Sequence, residues 1–384
     1  MDAAMAQAGP APAGTPNPLT VFLCGDVMTG RGIDQVLPHP GAPHLYEPYV
    51  KTALDYVALA VQTNGPIPAP VDCSYIWGDT LEAFARMAPD VRVINLETAV
   101  TTSEAYWPDK GIHYCMHPAN IPCLTAAQLD CCVLSNNHVL DWGYAGLVET
   151  LATLQTAGIH TAGAGRNLQE AAAPAVLEVA GKGRVIVLAC GVETSGIPSS
   201  WAATPDTPGV HLLPDLSDAT VRAIASAVHA VKRQGDIVVV SLHWGGNWGY
   251  DVPREQRHFA HQLLDQARVD ILHGHSSHHP KGIEVYREKP IVYGCGDLLN
   301  DYEGISGYKA FRGDLALLYF VTMDPWTGTL RRLAMTPMQI KRFRLQHVTT
   351  ADAQWLRDTL QRQSGKFRTG VELQEDNTLT LQWD

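Results

Sequence analysis

The stretch VDILHGHSSHHP, Val269–Pro280, places four histidines within eight residues, at 273, 275, 278 and 279, directly behind the run VDIL. One histidine behind a strand is ordinary, and four pose a choice between a metal site, an acid–base site and an imidazole-rich turn. Runs of the same kind recur: LTVFLC (19–24), VRVINL (91–96), CCVLS (131–135), VIVLAC (185–190), IVVVSL (237–242) and PIVYGCG (290–296). Most are continuously apolar rather than alternating, the pattern of strands buried on both faces.

Helical patterns lie between these runs. In 217–233, Val221, Ile224, Ala225, Val228 and Val231 follow helical spacing, with Ser217 as N-cap. The segment 253–268 has proline in its first turn and Phe259, Leu263 and Leu264 on one side, and 144–157 ends at Gly158. Strand–helix alternation predicts an α/β fold with a largely parallel sheet. Three regions break the rhythm. Residues 1–18, rich in Ala, Pro and Gly without a basic or apolar signal region, read as a disordered leader. Residues 34–80, with several prolines and the aromatics Tyr46, Tyr49, Tyr56, Tyr75 and Trp77, read as an inserted loop or lid against the substrate. Residues 346–384 read as an extension, a helix over 351–363 and a hairpin turning at Asp376–Asn377.

The net charge of −11 disfavours nucleic acid, whose phosphates would be repelled, and anionic membrane surfaces. No run approaches the roughly 20 apolar residues that span a bilayer. The 8 cysteines include no CxxC pair, which fits buried thiols in a reducing compartment, and the expected location is cytoplasmic.

The polar residues that stand out all follow strands. Asp26 follows VFLCG, Glu97 follows VINL, and Asn137 and His138 follow CCVLS; His243 follows VVVSL. In an open α/β sheet, ligands bind beyond the carboxyl ends of the strands. Carboxylate, amide and imidazole converging there form a mixed oxygen–nitrogen set suited to a divalent cation such as Zn²⁺, Mn²⁺, Mg²⁺ or Ca²⁺. Arg31 is a candidate contact for an anionic substrate group, against a structural ion pair. Trp244 and Trp248 are candidates for a substrate groove, against a rigid loop packed on the sheet.

The segments GDVMTGRG, NLET, SNNHVLDWG, GAGRNLQEA, LHWGGNWG, GHSSHH and IVYGCGD occur in the order seen in the CapA-like family of capsule and poly-γ-glutamate synthesis. The chain resembles that family over about 19–345. The resemblance implies a four-layer α/β/β/α sandwich of the calcineurin-like metallophosphoesterase superfamily. That superfamily opens with Gly-Asp-x-His, and here Met28 stands in the histidine's place, a poor ligand for hard cations. Carried over, one metal position has Glu97, Asn137, His243 and His275. The other has only Asp26, His278 and a share of Glu97, so a mononuclear site is favoured over a binuclear one. His138 would stabilise charge, oriented by Asp141, while His273 and His279 are read as structural.

Three functions follow from these readings. The first is metal-dependent hydrolysis of a phosphoester, peptide or poly-γ-glutamate-like substrate. The second is epimerisation of a peptide residue by Asp26 and His278, acting as acid and base from opposite faces. The third is a non-catalytic polymer-binding factor in capsule assembly. The expected partner is a peptide or small polyanionic substrate, with no nucleic acid and no membrane insertion.

Overall fold

A computed structural model describes residues 17–384. The expected leader lies outside the described residues, apart from Asn17 and Pro18. Two sheets stack face to face. In the larger, ten-stranded sheet, Leu19–Val27 is central, and Val91–Leu96, Cys131–Val133 and His160–Ala162 follow it on one side, all parallel. The smaller, six-stranded sheet is built around Ile237–His243, with Gly183–Gly191 and Ile271–His275 parallel on its two sides.

The continuous apolar runs divide according to the two-residue period of a strand. Leu19, Val21 and Leu23 meet Val187, Val239 and Ile271 in a core between the sheets. Phe22 and Cys24 point the other way, into a core shared with the helices Thr80–Met87 and Gly143–Thr156. On the smaller sheet, Leu188, Val240 and Leu242 face the helices Asp218–Val231 and Arg254–Gln266. The layers run helix, sheet, sheet, helix: a four-layer α/β/β/α sandwich. Each fully buried Val, Leu or Ile contributes about 1.5–3 kcal/mol. Because both faces of these strands are buried, an unpaired polar side chain is costly inside them, and polar side chains collect at the strand ends.

The larger sheet is mixed rather than largely parallel. Leu315–Asp324 pairs antiparallel with Leu19–Val27 and forms a long hairpin with Thr329–Ile340, and neither was among the strands expected from the sequence. The turn at 325–328 is too short for the crossover that parallel pairing requires. The helix Thr350–Ser364 places Leu356 and Leu360 in the inter-sheet core. The hairpin Gly370–Leu373 and Leu379–Gln382 then extends the larger sheet along Thr329–Ile340. Within 34–80, a region read as loop, the structure forms a helix, Leu54–Asn64. It buries only Tyr56 and Ala60, so its apolar period spans a single i, i+4 pair.

At the edge of the smaller sheet, Glu284 accepts hydrogen bonds from Arg257 Nη2 and the Tyr293 hydroxyl, both at 2.7 Å, and lies 3.1 Å from His261 Nε2. Burial alone would raise its pKa, but these donors outweigh it and hold the carboxyl down to about 2. A shift of that size is worth at most about 3 kcal/mol. The Arg257 side chain is 45% exposed, so about 2 kcal/mol is expected after solvent screening. A depressed carboxyl stabilises the fold above its unfolded pKa near 4.5 and loses that contribution as pH falls toward about 2. Glu284→Gln should therefore cost about 2 kcal/mol at pH 7 in urea unfolding. The gap to wild type should narrow steadily below pH 4.5. A gap independent of pH would contradict the assignment.

Candidate metal centre

The site begins where two chain segments approach more closely than side chains allow. A Cβ on Gly25 would lie 1.5 Å from the carbonyl oxygen of Gly296, so glycine is required there. The close approach lets Asp26 N donate to Gly296 O at 3.1 Å and sets Asp26 beside Asp297 in parallel register. The pairing register of Leu19–Val27 with Val91–Leu96 also shifts between Leu23 and Asp26. Such an irregularity re-aims a side chain at the end of a strand.

Two groups of donors meet at Asp26. In the first, Asp26, His243 and His275 place their ligand atoms within 4.8 Å of one another, and in the second Asp26, His278 and Asp297 do the same. His243 Nδ1 is 2.8 Å from His275 Nδ1, and His275 Nδ1 is 3.8 Å from Asp26 Oδ1. His278 Nδ1 is 2.8 Å from Asp297 Oδ1, whose other oxygen accepts from Asn300 Nδ2 at 2.9 Å. Asn95 Nδ2 donates to Asp26 Oδ1 at 2.7 Å and reaches Glu97 Oε2 at 3.3 Å.

The expected ligand sets are thus regrouped. Asp26, not Glu97, is the carboxylate common to both groups. Asn137 Oδ1 accepts from His243 Nε2 at 3.0 Å. Asp297 stands with His278, where the substitution of Met28 had left the second position short. Met28 itself is buried, its sulfur 3.5 Å from the Tyr302 hydroxyl. Asp297 was missed by sequence reasoning although a signal exists: Cys-Gly-Asp occurs at both 24–26 and 295–297.

The electrostatics suit a cation. Burial and then the Asp297 carboxylate push Asp26 up to about 7, and burial followed by Asp26 and Asp297 raises Glu97 well above its usual range. Burial holds His243 and His275 far below the ordinary imidazole range. Asp26 Oδ2 is fully buried and has no hydrogen-bond partner among the described residues. Three crowded carboxylates, two neutral imidazoles and an orphaned carboxylate oxygen fit a divalent cation.

The remaining candidates separate. His138 Nδ1 lies 2.7 Å from Asp141 Oδ2, and its Nε2 is 3.9 Å from Glu97 Oε1. Burial lowers its pKa to about 4 despite Asp141. Lys110, not anticipated from the sequence, reaches the same pair, with Nζ paired to Asp141 and 3.0 Å from His138 Nδ1. His278 differs from the other site imidazoles: burial opposes its charged form, but Asp297 outweighs burial and raises its pKa.

Arg31 is a structural ion-pair residue rather than a free substrate contact. It is 4% exposed, bonded to Asp301 through Nε at 3.1 Å and Nη2 at 2.5 Å, and to Glu47 and the Tyr56 hydroxyl through Nη1. Trp244 is likewise buried, donating to Tyr293 O at 3.0 Å and stacking on that ring, so it does not line a groove. Trp248 does reach the site. It lies 5.3 Å from the His278 ring and stacks on Tyr308 at 4.1 Å.

His138 and His278 line one cavity of about 290 Å³ together with Glu97, Lys110 and Tyr302. Past His278 and Tyr302 it adjoins a larger cleft of about 700 Å³ that includes Trp248, Tyr308, Lys309 and Lys341.

A layered α/β/β/α fold with carboxylates and imidazoles gathered at its strand ends defines an α/β sandwich protein with a candidate metal centre. Within that class the chain belongs to the family described as Bacterial capsule synthesis protein PGA_cap, which matches residues 20–302 and bears out the CapA-like resemblance. It is 49% identical over 370 residues to a probable polyglutamine synthesis accessory protein of Mycobacterium tuberculosis strain H37Rv, covering 96% of this chain and 97% of that one. It is 28% identical over 326 residues to the PGA biosynthesis protein CapA of Bacillus subtilis strain 168, covering 84% and 72%. A crystal structure of a phosphatase from Mycoplasma pneumoniae aligns with a TM-score of 0.45 at 10% identity, covering 84% of this chain and 94% of that one. No helix among the described residues is long and apolar enough to cross a membrane.

Proposed function

We propose that the chain is a metal-dependent hydrolase acting on an anionic, peptide-like polymer of the poly-γ-glutamate kind. One observation carries this reading: two buried donor groups share Asp26 at the strand ends. Asp26, His243 and His275 would hold one cation, and Asp26, His278 and Asp297 are the place for a second. A divalent cation there supplies Lewis acidity and lowers the pKa of water. The chain's own residues do the rest. With Nδ1 held by Asp141, His138 turns Nε2 toward the cavity, where it can take a proton. With Nδ1–H held by Asp297, His278 keeps Nε2 as an acceptor toward the Asn247 amide at 3.0 Å, the atom at which it can take up a proton.

The larger cleft supports an anionic substrate. Arg31 and Arg312 on its lining are held by Asp301, and by Asp314 and Asp352. This leaves Lys309 and Lys341 as the lining cations without a carboxylate partner among the described residues. Replacing both by Glu is expected to raise KM for poly-γ-glutamate about 10-fold or more, roughly 1.4 kcal/mol, with kcat little changed. A fall in kcat at constant KM would contradict a binding role.

In epimerisation by Asp26 and His278, acid and base would come from one cluster, their ligand atoms within 4.8 Å of each other. A second reading nonetheless has an observation of its own: the imidazoles of two His–Asp pairs, His138–Asp141 and His278–Asp297, line one cavity. Two imidazoles so placed could exchange a proton at a peptide Cα.

The test uses the full chain, stripped of metal and supplied in turn with Mn²⁺, Zn²⁺, Mg²⁺ or Ca²⁺. The substrates are poly-γ-glutamate, followed by chain length, and a chromogenic phosphodiester. Cation-dependent shortening of the polymer supports the proposal. Cleavage of the phosphodiester alone moves the substrate class. Solvent deuterium entering a peptide Cα without cleavage selects the second reading. Polymer binding without turnover makes the chain an assembly factor.

A further inference from the structure

The proton positions of the buried imidazoles can be read inward from a group that only accepts. His273 Nε2 lies 2.6 Å from the carbonyl oxygen of Cys24, so Nε2 carries the proton. The ring is fully buried and its hydrogen-bond partners are the Cys24 carbonyl and the Ser241 hydroxyl, with no carboxylate among them, which leaves Nδ1 to accept from the hydroxyl. Ser241 Oγ, 3.1 Å from that Nδ1, must give it its one hydrogen. With that hydrogen committed, Ser241 Oγ can only accept from His275 Nε2, 2.7 Å away. His275 is therefore protonated at Nε2, and its Nδ1 is a bare lone pair. On the other side, the Asn137 amide oxygen fixes the same tautomer in His243. Two bare Nδ1 atoms thus face each other at 2.8 Å, with Asp26 Oδ1 3.8 Å from the one on His275.

We propose that His273 and Ser241 are positioning residues: a hydrogen-bond relay anchored on the Cys24 carbonyl that locks His275 in the tautomer turning Nδ1 toward the metal. The proposal rests on the metal reading of Asp26, His243 and His275. It gives a duty to a histidine that the sequence marked only as structural. The relay also joins the two sheets at the site. Cys24 belongs to the strand that carries Asp26, whereas Ser241 and His273 belong to the strands that carry His243 and His275. Partners of this kind orient metal-binding imidazoles and raise their basicity, and their loss typically costs about 10–100-fold in metal affinity.

Two measurements test the relay. In metal-free wild type, ¹⁵N NMR of the histidine side chains, with His275 assigned by its loss in His275→Asn, should show His275 protonated at Nε2. In Ser241→Ala the Nδ1–H form should appear, and Zn²⁺ affinity by chelator competition should fall about 10–100-fold at unchanged stoichiometry. Ser241→Thr, which keeps the hydroxyl, should restore both. A purely structural serine would lower thermal stability without moving either readout. Wild-type His275 found protonated at Nδ1, or Zn²⁺ bound as tightly by Ser241→Ala as by wild type, would overturn the relay. Failure of wild type to bind Zn²⁺ or Mn²⁺ at all is a different result, and it would overturn the metal centre on which the relay depends.

Discussion

Asp26→Asn is expected to lower affinity for divalent cations by at least about 100-fold, beyond the usual cost of losing a supporting residue, with the fold intact. Both donor groups contain Asp26, so one substitution removes a carboxylate ligand from each. The amide is the same shape, and its oxygen can still accept from Asn95 Nδ2. Without metal, the variant should be at least as thermally stable as wild type, because a charge crowded against Asp297 and Glu97 is gone. The signature is a metal-free melting temperature equal to or above that of wild type, with little further rise on adding cation. Hydrolytic turnover should fall with the affinity. A variant that melts well below wild type in the absence of metal would mean that Asp26 is a structural carboxylate.

The second large effect is on stability. Arg31→Met should cost about 3–5 kcal/mol, the usual penalty for removing one partner of a buried ion pair. Asp301 and Glu47 would be left facing each other's charge with side chains 0% and 8% exposed. The guanidinium also lies 3.9 Å above the Tyr56 ring centroid, a contact that methionine cannot reproduce. Arg31→Lys should recover only part of the loss, because an ammonium cannot make the two-pronged contact with Asp301. Urea unfolding of the three proteins measures this directly. Unchanged stability with a raised KM would return Arg31 to the substrate.

How much of this could be read from the sequence follows from which contacts are local. The strand ends were legible because burial on both faces excludes polar side chains until a strand stops. Asp26, Glu97, Asn137, His138, His243, His275 and His278 could therefore be named, and the structure gathers all of them near one another. Which donors group together was not legible, since it depends on the register shift between Leu23 and Asp26 and on rotations of side chains. Asp297 was hidden by topology. The run PIVYGCG reads as one strand, but Lys289–Val292 pairs in the smaller sheet and Asp297–Leu299 in the larger. The chain changes sheets between them and so delivers Asp297 to Asp26. Arg31 was misjudged for a related reason: Asp301 is 270 residues away and Glu47 lies in the region read as loop. Trp244 and Trp248, four residues apart in one motif, differ because the first points into the helix-side core and the second toward the cleft.

The central claim is that the strand ends hold a divalent cation through Asp26. The most direct measurement is the metal content of the purified full chain by mass spectrometry, with thermal unfolding before and after chelation. The account predicts tightly held divalent metal that Asp26→Asn lacks. It also predicts that re-adding the cation at about 100 times its dissociation constant stabilises wild type by about 2.7 kcal/mol. A wild-type chain that retains no metal, and whose unfolding is indifferent to Zn²⁺, Mn²⁺, Mg²⁺ and Ca²⁺, would contradict it.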